Sequence, residues 1–142
     1  MWRRKLSSTE QRSMLLVLDT NIIVNSLLAS SEESKSVKLM GDVFAGKHKL
    51  CVSAGILEEY REVLSRPRFK IPEETVAEVI DWIDRNSVHI EPLPTTQDIV
   101  EMGDEDDRMF FDLAKCMGAR LVTRNYKHYP VNELVTLIDE LY

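Results

Sequence analysis

The chain has 142 residues, 44% hydrophobic and 30% charged, with a net charge of −6. That fits one domain around one core. It excludes a membrane span, since no apolar run approaches the ~20 residues needed, and it excludes a general basic coat for nucleic acid. Residues 1–13 carry Arg3, Arg4, Lys5 and Arg12 against Glu10, a surplus of +3 that leaves −9 on residues 14–142. These 13 residues lack the apolar stretch of a signal peptide and read as a flexible basic extension of one domain spanning 14–142. Cys51 and Cys116 have no metal-type spacing and read as two buried free thiols of a reducing, cytoplasmic compartment.

Leu15-Leu16-Val17-Leu18 is a short strand, apolar on both faces, as in the middle of a parallel sheet. It stops at Asp19-Thr20-Asn21, and Ile22, Ile23, Leu27 and Leu28 continue at helical spacing, with Thr20 or Asn21 as N-cap. Asp19 therefore stands at the carboxyl end of a buried strand, where open α/β sheets form their ligand crevice. A carboxylate there is costly unless it meets a cation or donors, although it can also simply cap the helix.

Ser30–Ser36 is a polar link. Val37, Leu39, Met40, Val43 and Phe44 predict a second helix ended by Gly46. Leu50-Cys51-Val52 is a strand and Ser53 a helix cap. Ile56, Leu57, Tyr60, Val63 and Leu64 form the next apolar stripe, stopped at Arg66-Pro67. Glu59 flanks that stripe through Ile56 and Val63, whereas Glu58 lies four residues from Glu62 on a solvated side. Pro72 opens a further helix through Val76, Val79, Ile80 and Ile83. Val88-His89-Ile90 is a strand candidate, and Thr96 to Met102 one short helix.

Asp98, Glu101, Asp104, Glu105, Asp106 and Asp107 follow with no Lys or Arg among them. Such a cluster repels itself unless it is solvated, caps a helix or holds a cation. Asp104 and Asp107 have N-cap and N3 spacing, favoured by the helix dipole. The helix runs through Met109, Phe110, Phe111, Leu113, Ala114 and Met117 to Gly118, with Asp112 as a surface charge. Leu121-Val122-Thr123 and Leu134–Ile138 are the last strands. Strands alternating with helices predict an α/β/α sandwich with a mainly parallel sheet of four to five strands. The three histidines, His48, His89 and His128, lie far apart in sequence, and no zinc spacing, phosphate-binding glycine loop or serine elbow is present.

LLVLDTN, a later LEEY and then DEDDRMFFDLAKCMGARLVTRN together resemble the PIN-domain nucleases, in particular the VapC-like ribonuclease toxins of type II toxin–antitoxin systems. The likeness covers roughly Met14 to Ile138, with a loose middle around residues 66–98. It implies Mg²⁺ or Mn²⁺ held by Asp19, Glu59 and Asp107, with Asp104 as an accessory acid and Thr20 and Asn21 steadying the first carboxylate. It also implies a cytoplasmic homodimer, an RNA substrate and an antitoxin that blocks the site. In many relatives a fourth acid follows the Thr of the fourth strand, here Thr123. This chain has Asn125 there, expected to face the metal pocket and to offer an oxygen without a charge. A second metal would be held more weakly, with Asp104 as a partial substitute.

The donor chemistry agrees with that resemblance. Hard divalent cations take carboxylate oxygens and activate water against phosphodiesters, so no side-chain nucleophile is required. Arg61, Arg66, Arg68, Lys70, Arg124 and Lys127 are candidate phosphate contacts, with solvated surface charge as the alternative for each. Three rival functions remain: a PIN-type RNA-processing or repair nuclease that is no toxin, a catalytically weak PIN domain that binds RNA or protein, and an aspartate-based phosphotransfer domain. The last lacks a second aspartate two residues after Asp19 and a matching lysine.

Overall fold

The computed structural model describes residues 13–93, 102, 105–130 and 132–142. The predicted basic extension (all but Ser13), Asp104 and all but the last residue of the Thr96–Met102 helix lie outside them, and Met102 is not helical. The elements in chain order are β1 (Met14–Leu18), α1 (Thr20–Leu28), α2 (Lys35–Phe44), β2 (His48–Val52), α3 (Ala54–Leu64), α4 (Glu73–Asn86), β3 (Val88–His89), α5 (Arg108–Met117), β4 (Arg120–Thr123), β5 (Val135–Leu137) and α6 (Ile138–Leu141). Three short 3₁₀ turns lie at Pro67–Phe69, Glu105–Asp107 and Tyr126–His128.

Five strands form one sheet in the order β3-β2-β1-β4-β5, all parallel. Helices flank it in an α/β/α sandwich. β1 sits at the centre because Leu16, Val17 and Leu18 are fully buried, as a strand covered on both faces requires. Fully burying such a side chain stabilises by about 1.5–3 kcal/mol. Chain order runs outward from β1 to β2 and β3 on one side, and returns to β4 and β5 on the other. The reversal falls between β1 and β4, and ligand crevices of parallel sheets open at the carboxyl ends of strands at such a point.

The local punctuation follows residue chemistry. The Ser53 side chain accepts from Ile56 N at 3.1 Å to start α3. Pro72 precedes α4 with Glu73 and Glu74 in its first turn. Gly118 ends α5 in the left-handed region, φ 62°.

Several details differ from the sequence reading. The residue capping α1 is Asp19 itself, whose side chain accepts from Asn21 N at 3.5 Å. Asp107 stands immediately before α5, at its N-cap rather than at N3, and makes no side-chain capping bond. Asp112 is buried rather than a surface charge, as is Arg108. Cys51 is buried but Cys116 is exposed, because Cys116 falls on the outer face of α5. Ile138 is helical rather than the end of β5.

Candidate functional site

A cleft of about 440 Å³ opens at the carboxyl end of β1. Asp19, Glu59 and Asp107 all line it, although they come from a strand end, the middle of α3 and the turn before α5. Two buried aromatic residues hold these elements in place. The Tyr60 hydroxyl donates to Leu18 O at 2.6 Å, which ties α3 to the end of β1. The Tyr60 ring packs 6.2 Å from that of Phe110, which ties α3 to α5. Because Glu59 adjoins Tyr60, the anchor that buries the tyrosine also brings the glutamate to the cleft that Asp19 lines.

Asp19 is only 4% exposed. Its Oδ2 accepts from Thr123 Oγ1 at 2.8 Å and Asn21 Nδ2 at 3.3 Å. Among the described residues its donors are neutral and it forms no salt bridge. Neutral donors offset only part of the cost of burying a carboxylate, which favours a cation beside it. Thr20, also on the cleft, has a buried Oγ1 with no hydrogen-bond partner among the described residues. Asn21 bridges further: its Oδ1 accepts from Arg124 N at 3.4 Å, joining the ends of β1 and β4.

Glu59 is half-buried and on the cleft, whereas Glu58 is exposed and paired with Arg61 at 2.9 Å. Burial pushes the Glu59 carboxyl above its usual range, and the negative charges of Glu62, Asp106 and Asp19 add to this while Arg66 opposes it. Asp107 Oδ2 lies 3.4 Å from His128 Nδ1. The Tyr129 hydroxyl is buried beside these acids. Its proton is held tightly, first by burial and then by the charges of Asp19 and Asp107.

Of the basic candidates, Arg66, Arg68 and Arg124 line the cleft and Arg61, Lys70 and Lys127 do not. Arg61 lines a separate groove between α3 and α4. Arg66 is held bidentately by Glu62 at 2.7 and 2.9 Å. Asn125, expected to face the pocket, is not among the residues lining it. Its Oδ1 instead accepts from Lys127 N at 3.0 Å and caps the turn Tyr126–His128, which turns the amide back on its own loop.

His128 and Phe69 line the cleft without having been marked as site residues from sequence. The available signal for His128 was its place in the loop after β4, at the crevice end of the sheet. For Phe69 it was an aromatic residue set between basic ones.

The donors that converge here are oxygens, mostly carboxylate, which suits Mg²⁺ or Mn²⁺ rather than a soft metal. Among the described residues no three His, Cys, Asp or Glu side chains are gathered closely enough to form a ready-made ligand group. The acids thus share a cleft without collapsing onto one point. No helix among the described residues is long and apolar enough to cross a membrane.

A model of the PIN domain matches residues 15–127 of the chain. Among curated proteins, a histone transcription regulator 3 homolog of Eremothecium gossypii is 37% identical over 71 residues. That alignment covers 49% of this chain and 4% of the relative, so the chain spans a small fraction of that protein. Among solved structures the chain is similar to VapBC2 from Rickettsia felis, crystallised with a DNA fragment from their promoter. The TM-score is 0.53 at 19% identity, over 87% of this chain and 97% of that chain, a likeness of fold.

Proposed function

The chain belongs to the PIN-domain family, a family of nucleases, and from that premise we propose that it is a metal-dependent endoribonuclease, the toxin of a type II toxin–antitoxin pair. The observation that carries the reading is the convergence of Asp19, Glu59 and Asp107 from three separate elements on one cleft with arginines on its wall. In this reading those three carboxylates hold Mg²⁺ or Mn²⁺, with Asp104 as an accessory acid. Bound there, the cation supplies Lewis acidity toward a phosphodiester and offsets its charge. Asn21 and Thr123 orient Asp19, as outer hydrogen bonds orient a ligand. Arg66, Arg68 and Arg124 bind the flanking phosphates. The acidic floor repels RNA until the cation is present, so metal binding and substrate binding are coupled. A cytoplasmic homodimer and an antitoxin covering the cleft complete the proposal.

The test is cleavage of mixed RNAs with Mn²⁺, with Mg²⁺ and with a chelator. Cleavage is expected with either cation and lost with the chelator. Asp19→Asn, Glu59→Gln and Asp107→Asn should each abolish it with the circular dichroism spectrum unchanged, while Glu58→Gln keeps most of it. Cleavage that survives all three substitutions would remove these residues from the reaction. RNA binding with no cleavage by the wild type under any condition would favour a PIN domain that only binds. An adjoining short reading frame whose product binds the chain and stops cleavage tests the toxin assignment.

A further inference from the structure

The turn after α3 carries an aromatic surface as well as charge. Pro67–Phe69 forms a 3₁₀ turn directly beyond Arg66. Proline presets its first residue. Lys70 closes it with φ 54° and ψ 31°, donating its N–H to Pro67 O at 3.1 Å. Among the described residues Lys70 is the one non-glycine with positive φ. A side chain with a Cβ disfavours that region. It sets Phe69, half-buried, into the wall of the acidic cleft, beside Arg66 and Arg68. The Arg68 guanidinium lies over the Phe69 ring, 4.8 Å from its centroid. Val24, Leu28 and Val63 extend the apolar part of the lining, and Leu28 is 46% exposed.

A phosphate needs only the charge of this wall, and a phenyl ring adds nothing to that. A nucleobase does use it, since unpaired bases stack on aromatic rings and on guanidinium planes. We propose that Phe69, together with Arg68, is a nucleobase subsite that takes one unpaired base of the RNA strand beside the phosphate entering the acidic cleft. This rests on the ribonuclease reading above. A base within a duplex keeps its faces stacked on its neighbours, so the subsite selects single-stranded or looped RNA.

The test uses the full chain and a short single-stranded RNA with a mapped cleavage site. Each nucleotide around that site is replaced in turn by an abasic one, and KM and kcat are measured for wild type, Phe69→Leu and Phe69→Tyr. For wild type, one abasic position should raise KM by about 5- to 150-fold, the range of one base–aromatic stack. Phe69→Tyr should behave as wild type. Phe69→Leu should show the raised KM on intact RNA and no further penalty at that position, because the two changes remove the same contact. If every abasic position costs wild type nothing, or costs Phe69→Leu as much as wild type, the subsite is wrong. The wild-type scan does not depend on whether Phe69→Leu folds. A wild type that cuts no RNA with Mn²⁺ overturns the ribonuclease reading and the subsite with it; cleavage with a flat abasic scan overturns the subsite alone.

Discussion

Glu59 is raised above the usual glutamate range by burial and by neighbouring acids, so the folded chain binds that proton more tightly than the unfolded chain. The stability it contributes is complete below the unfolded pKa of about 4.3 and is lost as pH rises through the higher folded value. At neutral pH the ionised side chain therefore opposes folding of the metal-free protein. Glu59→Gln should raise the melting temperature in chelator at pH 7, and the gain should vanish near pH 4. A gain of equal size at both pH values would show that charge is not its origin. Such a conflict is expected where activity requires a carboxylate that stability does not. Asn21 and Thr123 donate hydrogen bonds to the Asp19 carboxylate. That Glu59 and not Glu58 lines the cleft was readable from helix spacing, since only one of the two can face Ile56 and Val63. The direction of Asn125 was not. An asparagine after a strand can point into a crevice or cap its own loop, and the latter depends on a hydrogen bond to Lys127 N that sequence spacing permits but does not require.

At the scale of elements, sequence period and caps recover most of the architecture for identifiable reasons. β1 has five consecutive apolar residues, and Ser53, Pro72 and Gly118 carry chemistry that suits helix ends. What escaped are the 3₁₀ turns at Pro67–Phe69, Glu105–Asp107 and Tyr126–His128 and the one-turn helix α6. Runs this short leave no periodic signal, and a tight turn uses the same residue types as a helix start. That ambiguity explains why Asp107 was placed at N3 when it precedes α5. Buried Asp112 was missed because a charged residue in an apolar stripe is usually exposed. Gly118 allows a direct test of the punctuation. Its φ of 62° and ψ of 28° let the following N–H, of Ala119, turn back to Ala114 O at 2.9 Å, and a Cβ at Gly118 would meet no atom within 4 Å. Alanine would therefore suffer backbone strain alone, so Gly118→Ala should lower stability by about 1–2 kcal/mol. A shift in the urea midpoint without a change in its slope is the expected signature. No change in midpoint would mean that α5 ends equally well in another conformation.

Across the whole molecule, charge and topology act on the same place. Residues 14–142 carry −9, and the strand order brings Asp19, Glu59 and Asp107 to one end of the sheet. The opposite end is closed differently. His48 Nε2, at the start of β2, lies 3.0 Å from the Tyr142 hydroxyl, which also bonds Asp42, so the residue that follows α6 is fastened at the amino end of β2. Like charges in the cleft repel one another, and a divalent cation bound between them would stabilise the native state but not the unfolded chain, in which the carboxylates are dispersed. A ligand bound only by the native state adds RT ln(1 + [L]/Kd), about 2.7 kcal/mol at a hundredfold excess over Kd. Millimolar Mn²⁺ should therefore raise the melting temperature of the wild type. NaCl at matched ionic strength should raise it less, since screening weakens repulsion without ligation. Asp19→Asn removes a full negative charge from the most deeply buried of the three acids while keeping the side chain's shape. Its Mn²⁺-dependent shift should be clearly smaller than that of the wild type, whatever its melting temperature without metal. Equal Mn²⁺ shifts in the two proteins would place the cation elsewhere and leave Asp19 as the cap of α1 alone.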